Sequence, residues 1–188
     1  MLDRREFVCR LLADRGDLLV VSGLGSATYD VAAAGDDPRN FYLWGAMGGP
    51  AMIGLGLALA RPDRRVAVLT GDGDMLMGIG SLATIGVKQP KNLAIVVLDN
   101  AHYGETGMQA SHTHAGIDLV AVALGCRFRH ARAVSRMEEA ADVRAMLHAG
   151  EGPILVNARI SGADVPRVLP IRDGHAIKQR FIAALSSA

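Results

Sequence analysis

The sequence has few aromatic residues, few cysteines and no excess of charge of one sign. Aromatic residues make up 4% of the chain, there are two cysteines, and 20 basic residues face 19 acidic ones. Without a basic excess or a block of like charges, no nucleic-acid-binding surface is expected. Cys9 and Cys126 show no motif spacing, which predicts reduced, buried thiols rather than a disulfide framework or a thiolate metal site.

Long hydrophobic runs are also missing. The longest strongly apolar stretch, 51–60, is too short to span a bilayer. The charged residues that follow Met1 do not resemble a signal peptide. We therefore expect a cytoplasmic protein without a membrane partner.

Aliphatic residues are abundant instead. Half of the chain is hydrophobic and the mean hydropathy is +0.23, which is high for a soluble monomer. Parallel sheets that are covered by helices on both faces are rich in aliphatic residues. The remaining apolar surface predicts an oligomer.

Apolar, β-branched segments alternate with helical patterns along the chain. Strands are expected at 17–22, 41–44, 66–69, 93–98, 127–133 and 153–160, with 127–133 at an edge. The alternation predicts an α/β fold: a single domain over 1–188 with a three-layer, doubly wound, mostly parallel sheet of about six strands. Ligands of such sheets bind at the carboxyl ends of the strands.

Polar clusters follow two of these predicted strands. Gly71-Asp72-Gly73-Asp74 comes after 66–69, and Asp99-Asn100 comes after 93–98. One βαβ unit separates them, so their tips can lie side by side, where oxygen ligands and close-approaching glycines suit Mg²⁺ bridging a diphosphate. Taken alone, each cluster is typical of an ordinary turn; together they favour the cofactor site.

A nicotinamide-binding Rossmann fold is the obvious rival. The segment 71–76 lacks the third glycine of that fingerprint. An aspartate inside a phosphate-binding loop would also repel a phosphate unless a cation lay between them. Both features favour a metal-bridged diphosphate over a bare dinucleotide.

These motifs carry a specific resemblance. Gly71-Asp72-Gly73 followed by Asp99-Asn100 resembles the thiamine diphosphate signature. Over nearly its full length the chain resembles the diphosphate-binding (PP) domain of the 2-oxoacid decarboxylases, especially the β subunit of sulfopyruvate decarboxylase and the C-terminal half of phosphonopyruvate decarboxylase. The further matching segments are 38–42, 45–48, 104–109 and 169–174.

The resemblance implies thiamine diphosphate and Mg²⁺ as cofactors. It implies that Asp72 and Asn100 bind the metal through their side chains and His102 through its carbonyl. Gly73 and Asp74 would offer backbone N–H groups to the diphosphate. The implied cofactor-binding set is Gly45, Met47, Gly48, Gly71, Gly73, Asp74 and Tyr103, in which the Gly45 carbonyl would accept from the 4′-amino group and Met47 would impose the bent cofactor shape. Met47 could also be an ordinary gap-filler in the core.

The segment 101–115 has no visible period and is polar, which is typical of a functional loop. His112 and His114 occupy alternate positions, which would place both on one side of an extended loop. They could contact an acid group of the substrate or be solvated loop histidines. Glu105 could reach the cofactor or be an ordinary loop acid.

The chain departs from the family pattern at two positions, since Asp99 and Asp74 stand where asparagine and serine are common. More important, the glutamate that activates the cofactor in the family lies on a separate pyrimidine-binding (PYR) domain. The resemblance therefore implies no catalytic residue in this chain. It implies a PYR-domain α subunit as partner, in an α₂β₂-like or higher oligomer.

The function that follows is the β subunit of a thiamine diphosphate- and Mg²⁺-dependent 2-oxoacid decarboxylase. A small anionic substrate similar to sulfopyruvate or phosphonopyruvate would give an aldehyde and CO₂. Two alternatives remain open: a carboligating subunit similar to acetolactate synthase, and a cofactor-binding subunit without catalysis of its own.

Overall fold

A computed structural model describes residues 1–186. The strands are β1 (Leu19–Ser22), β2 (Asn40–Tyr42), β3 (Val66–Gly71), β4 (Leu93–Asp99), β5 (His102–Tyr103), β6 (Gln109–Ala110), β7 (His130–Val134) and β8 (Ile154–Arg159). The helices are α1 (Arg4–Leu12), α2 (Ser26–Ala33), α3 (Pro50–Ala60), α4 (Asp72–Met77), α5 (Gly80–Lys88), α6 (Leu119–Gly125), α7 (Ala140–Ala149) and α8 (Gly174–Ser186), and a 3₁₀ turn covers Met137–Glu139.

The main sheet has six strands in the order β2-β1-β3-β4-β8-β7, and every neighbouring pair is parallel. The prediction of a doubly wound, parallel α/β sheet is confirmed, and so is the edge position of β7. The central strands β3 and β4 are almost entirely buried. Their aliphatic runs are thus explained by helices on both faces of the sheet.

Two hydrophobic clusters lie on the two faces of the sheet. Helices α1, α2 and α7 pack on one face, where Phe7, Val31 and Val143 are buried. Helices α3, α5, α6 and α8 pack on the other face, with buried Leu55 and Ile85. Within residues 1–186, no helix combines the length and apolar character needed to cross a bilayer.

The strand order reverses between β1 and β3, because the chain moves outward from β1 to β2 and then returns to the other side of β1. Such a switch point leaves a crevice at the carboxyl ends of the strands. At this point Gly23, just after β1, donates its N–H to the carbonyl of Leu69 in β3 at 2.8 Å. The predicted clusters at Asp72 and Asn100 follow β3 and β4 on the same side of the sheet.

Three local expectations differ from the structure. The sequence pattern predicts a helix over about 75–87, but the structure begins a helix at Asp72, so Asp72 and Gly73 belong to the first turn of α4 rather than to a free loop, and Gly78 separates α4 from α5. The 101–115 segment contains a short antiparallel ladder of β5 with β6. The two cysteines are unpaired but half-buried rather than buried.

Candidate functional site

A cavity of about 120 Å³ opens at the carboxyl end of the sheet. It brings together most of the residues that the sequence singled out, from the ends of β3 and β4, the start of α4 and the loop that follows β4. The predicted residues that line it are Met47, Gly71, Asp72, Gly73, Asp74, Asn100, His102, Tyr103 and Glu105. Gly45, Gly48, His112 and His114 are not among its lining residues.

Asp72 is the first residue of α4 and is 2% exposed. Its Oδ2 accepts hydrogen bonds from the hydroxyls of Ser111 at 2.5 Å and Thr113 at 3.3 Å. Burial raises the pKa of this carboxyl and the nearby Asp99 carboxylate adds to the effect, while the Ser111 hydrogen bond opposes it. A divalent cation would offset the cost of keeping such a buried carboxylate ionised.

Asn100 and His102 follow β4 in a tight turn. The Asn100 Oδ1 accepts the N–H of His102 at 2.9 Å, and Nδ1 of His102 lies 2.9 Å from the Asn100 carbonyl oxygen. Ala101 between them has a φ of +63°, a left-handed conformation that is costly for alanine. Backbone strain therefore coincides with the turn that carries two of the predicted metal ligands.

The side chain of Asp74 holds the glycine-rich turn that precedes α3. Its Oδ1 accepts the N–H of Gly48 at 2.6 Å, and its Oδ2 accepts the hydroxyl of Thr70 at 2.6 Å. Burial raises the pKa of this carboxyl, and these two hydrogen bonds oppose the shift. The carboxylate thus fastens the turn to the end of β3, a role that the sequence pattern did not reveal.

Close backbone packing requires glycine at the same turn. Gly48 has a φ of +87°, and a Cβ added at Gly78 would lie 2.1 Å from the Gly48 carbonyl oxygen. Ala46 also has a positive φ, +54°. Met47, between these two residues, is 41% exposed and lines the cavity. It is therefore not a core residue, and that alternative is wrong.

Replacing Gly78 with alanine is expected to displace this turn. A Cβ at 2.1 Å from a backbone oxygen forces the main chain to move, which should destabilise the fold by about 1–3 kcal/mol and move Met47 relative to Asp72. Gly80→Ala is the matched control, because nothing lies within 4 Å of a Cβ at that position. Urea denaturation should find Gly78→Ala less stable than Gly80→Ala; equal stability would contradict the packing argument.

Gly73 is constrained by an aromatic ring. A Cβ at this position would lie 2.5 Å from the Tyr103 ring. The ring of Tyr103 therefore packs directly over the first turn of α4. A bulkier residue at 73 would push Tyr103 away from the cavity wall.

The segment that carries His112 and His114 differs from the extended loop expected from the sequence. The segment turns instead of extending, because His114 donates its N–H to the Ser111 carbonyl at 3.1 Å. His112 lies beside Tyr103, with Nδ1 3.3 Å from Oη, whereas the His114 ring packs against the His102 ring at 5.4 Å. Both histidines are exposed.

The buried members of that segment are Ser111 and Thr113, which the sequence reasoning missed. They alternate with the exposed histidines, and both hydroxyls reach Asp72. The single hydroxyl proton of Thr113 is shared between two carboxylates, because the same oxygen lies 2.8 Å from Oδ1 of Asp99. The two hydroxyls therefore fix the orientation of the predicted metal ligand, and no sequence pattern marks them, because the histidines between them are polar as well.

Asp99 is a structural carboxylate. It is 1% exposed, its Oδ2 lies 2.8 Å from Nη1 of Arg159, and the same oxygen accepts the Asn157 side-chain amide at 2.9 Å. These partners on β8 explain why an acid can replace the asparagine that is common at this position. These contacts of Asp99 link the end of β4 to β8, at the residue that precedes Asn100.

Glu105 lies at the outer wall of the cavity. Its Oε2 is 3.6 Å from Arg167, and its Oε1 accepts the Ser26 hydroxyl at 3.5 Å. Both contacts are long and partly exposed, so they contribute little to stability. Gly25 beside it leaves no room for a Cβ, which would lie 2.7 Å from the Cγ of Glu105.

The donors at the cavity fit a metal that is shared with a ligand. Within residues 1–186, no group of three or more histidine, cysteine or acidic side chains is arranged to hold a metal ion alone. If one carboxylate, one amide and one backbone carbonyl held Mg²⁺ here, coordination positions would remain for phosphate oxygens or water.

A larger cavity of about 600 Å³ lies between α1 and α7. Its charged lining residues include Arg10, Glu138, Arg144 and His148. None of the predicted site residues borders it.

Comparison with known protein families decides the affiliation. Residues 23–158 match the family described as "Thiamine pyrophosphate enzyme, C-terminal TPP binding domain". The chain belongs to this thiamine pyrophosphate enzyme family. The match covers the segments that carry Asp72 and Asn100.

Among curated members of the thiamine pyrophosphate enzymes, similarity extends beyond the matched domain. The chain is 41% identical over 184 residues to phosphonopyruvate decarboxylase of Streptomyces viridochromogenes, covering 95% of this chain and 45% of that protein. It is 39% identical over 190 residues to sulfopyruvate decarboxylase subunit beta of Methanothermobacter thermautotrophicus, covering 100% of this chain and 98% of that subunit. The chain thus spans less than half of the first relative and nearly all of the second.

Solved structures agree on the fold. The thiamine diphosphate-dependent 4-hydroxybenzoylformate decarboxylase of Rhodococcus jostii superposes with a TM-score of 0.72 at 23% identity, covering 87% of this chain and 33% of that chain. At this identity the likeness concerns the fold alone. That decarboxylase therefore shares the fold described above.

Proposed function

We propose that this chain is the β-type, diphosphate-binding subunit of a thiamine diphosphate- and Mg²⁺-dependent 2-oxoacid decarboxylase. The observation that carries the proposal is the placement of Asp72 and Asn100 at the ends of adjacent parallel strands, on one cavity with the first turn of α4. The substrate proposed is a small keto acid with a second strong anionic group, similar to sulfopyruvate or phosphonopyruvate. The products are CO₂ and an aldehyde.

The proposal assigns a role to each predicted ligand of the metal and the diphosphate. Asp72, Asn100 and the His102 carbonyl would hold Mg²⁺, and Ser111 and Thr113 would keep the Asp72 carboxylate in place. The backbone N–H groups of Gly73 and Asp74 in the first turn of α4 would bind the diphosphate.

Other residues would contact the pyrimidine part of the cofactor. The Asp74 side chain would secure the turn in which Gly45 and Met47 meet the pyrimidine ring. When bound, thiamine diphosphate would supply the electron sink that decarboxylation of a 2-oxoacid needs. The proposed catalytic contribution of this chain is thus positioning and charge, since the activating glutamate is expected from a PYR-domain α subunit.

Exposed apolar side chains on three neighbouring helices support a partner subunit. The outer face of α3, α4 and α5 presents Met52, Leu59, Met77 and Val87, which are 42%, 50%, 64% and 74% exposed. Helix α3 contains no charged residue. Exposed apolar residues of this size are typical of interaction surfaces. Met52 and Met77 lie near the turn that holds Met47, which suits a partner that completes the cofactor site. A single domain over 1–188, a cytoplasmic location and an α₂β₂-like or higher assembly belong to the same proposal.

The proposal is tested by product analysis after reconstitution with the candidate PYR-domain subunit. Sulfopyruvate, phosphonopyruvate and pyruvate are supplied separately with thiamine diphosphate and Mg²⁺. Release of CO₂ with the matching aldehyde, fastest with one of the two dianionic substrates, is the expected result. Formation of a longer hydroxyketo acid would favour the carboligating alternative, and no turnover of any 2-oxoacid would favour a non-catalytic subunit.

A further inference from the structure

Arg4 is a buried cation at the junction of two cavities. It is the first residue of α1, and its side chain is 9% exposed. It lines the cofactor cavity and also an adjoining cavity of about 330 Å³. The two cavities share Ser26, Asn100, Gly104 and Glu105 as further lining residues, so Arg4 belongs to the wall between them.

The positive charge of Arg4 is only partly balanced. Its ion-pair partner among residues 1–186 is Asp30, with 3.5 Å between Nε and Oδ2, and that carboxylate is shared with Arg5, whose Nε lies 3.1 Å from Oδ1. Nε of Arg4 and Oδ2 of Asp30 are both buried and face each other at 3.5 Å without another hydrogen-bond partner among the described residues. Two guanidinium groups therefore share one buried carboxylate, so the three side chains together carry a net positive charge, and of the three Arg4 alone lines the cavities.

Three carboxylates, those of Asp72, Asp74 and Glu105, also line the cofactor cavity, so an anion bound there needs a cationic partner. Glu105 is engaged by Arg167 at 3.6 Å, and Asp164 is exposed at the rim of the second cavity. In the cofactor cavity, Asp72 and Asp74 accept hydrogen bonds from neighbouring hydroxyl and N–H groups. Within the described residues, Arg4 is the single arginine or lysine on the lining of that cavity.

We propose that Arg4 binds an oxyanion where the two cavities meet. A guanidinium group presents planar, paired donors that match phosphate, phosphonate and sulfonate oxygens. Two sources of that oxyanion are compatible with the geometry: the diphosphate of the cofactor, reached from the first cavity, and the second anionic group of the substrate, reached from the adjoining one. The identity of these anions rests on the proposed function, whereas the position of Arg4 between the two cavities is a feature of the structure itself.

Calorimetric titration with two inert probes separates the sources. Mg²⁺-pyrophosphate represents the cofactor diphosphate, and sulfoacetate represents the anionic end of the substrate. Arg4→Gln is expected to weaken binding of one probe by about 10- to 100-fold, as for the loss of a buried charge-assisted hydrogen-bond pair. Arg4→Lys, which keeps the charge but loses the paired donors, should recover part of that loss.

Arg5→Gln is the matched control. It removes the other guanidinium from Asp30, but Arg5 does not line either cavity. The affinity of Arg5→Gln for both probes should stay within about twofold of the wild type. Thermal unfolding of this variant measures how much the loss of the ion pair between Arg5 and Asp30 destabilises the fold. A selective loss for Mg²⁺-pyrophosphate assigns Arg4 to the cofactor, and a selective loss for sulfoacetate assigns it to the substrate.

Two results would overturn the inference: Arg4→Gln binding both probes as the wild type does, or Arg5→Gln losing as much affinity as Arg4→Gln. If the proposed function were wrong, the results would differ from these two. The wild type would then fail to bind Mg²⁺-pyrophosphate, or the Asp72→Ala variant would bind it as well as the wild type does. The sulfoacetate titration would still test Arg4 in either case.

Discussion

Replacing Asp72 with asparagine is expected to abolish Mg²⁺-dependent thiamine diphosphate binding while making the cofactor-free chain more stable at neutral pH. Residues that merely support metal ligands typically contribute about 10- to 100-fold to metal affinity, so loss of a charged ligand should cost at least about 100-fold. Asparagine keeps an oxygen for the Ser111 and Thr113 hydroxyls. Calorimetry with and without Mg²⁺ measures the first effect, and thermal unfolding measures the second.

The gain in stability follows from the direction of the pKa shift. Burial raises the pKa of Asp72 in the folded chain above its unfolded value. Its favourable contribution is therefore fully present below the unfolded pKa and is lost as the pH rises through the folded pKa. At neutral pH the ionised carboxylate costs stability, which asparagine removes, and the difference between Asp72→Asn and wild type should shrink on acidification.

Asp142→Asn on α7 is the control for this experiment, since that carboxylate is exposed and does not line the cavity. It should leave both the cofactor affinity and the pH profile of unfolding unchanged. Retained Mg²⁺-dependent binding in Asp72→Asn would contradict the assigned metal site. A loss of stability at neutral pH would contradict the inferred cost of burying this charge.

Replacing Leu59 with arginine is expected to prevent assembly with the partner and reduce 2-oxoacid decarboxylation to background. Leu59 is half exposed on the uncharged face of α3, so the isolated chain should tolerate the substitution. A charge buried without a partner at an apolar interface costs several kcal/mol, which corresponds to at least about 100-fold in affinity. Sedimentation of the mixed subunits and the decarboxylation assay measure the two effects.

Ala145→Arg is the matched substitution on the opposite face of the sheet, at an exposed position of α7. It introduces the same side chain and should leave assembly and activity unchanged. Equal loss in both variants would show that the partner does not select the face of α3, α4 and α5. Full assembly of Leu59→Arg would assign the interface to another surface.

The sheet was predictable because its strands are continuous aliphatic runs that end in turn residues. Segments 66–69 and 93–98 fall within β3 and β4, and the parallel arrangement that such runs favour places their carboxyl ends together. The juxtaposition of Asp72 and Asn100 followed from topology rather than from local pattern. For this reason the sequence alone predicts that Asp72 and Asn100 lie close together.

The contacts that organise the site could not be derived in the same way. Asp74 reaches Gly48 and Ser111 reaches Asp72 across 26 and 39 positions of sequence, without any spacing that marks the pair. Arg4 joins the cavity from the first turn of a helix on the outer layer. Such contacts depend on the packing of whole elements against one another, which residue patterns do not encode locally.

The start of α4 illustrates a misread local signal. Gly71-Asp72-Gly73 has the composition of a turn, so the helix was expected to begin at Met75, but the structure begins it at Asp72. Acidic residues in a first turn are favoured by the helix dipole, and glycine at 73 is required by the Tyr103 ring. The same residues therefore satisfy helix-start preferences and leave backbone N–H groups free at the cavity.

The most direct test of the account is calorimetric titration of thiamine diphosphate into this chain reconstituted with its PYR-domain partner, in Mg²⁺ and in excess EDTA. The account predicts saturable binding in Mg²⁺, loss of that binding in EDTA and recovery when Mg²⁺ is restored. Binding of equal strength in EDTA, or no binding in Mg²⁺, would contradict the claim that Asp72 and Asn100 hold a metal-bridged diphosphate.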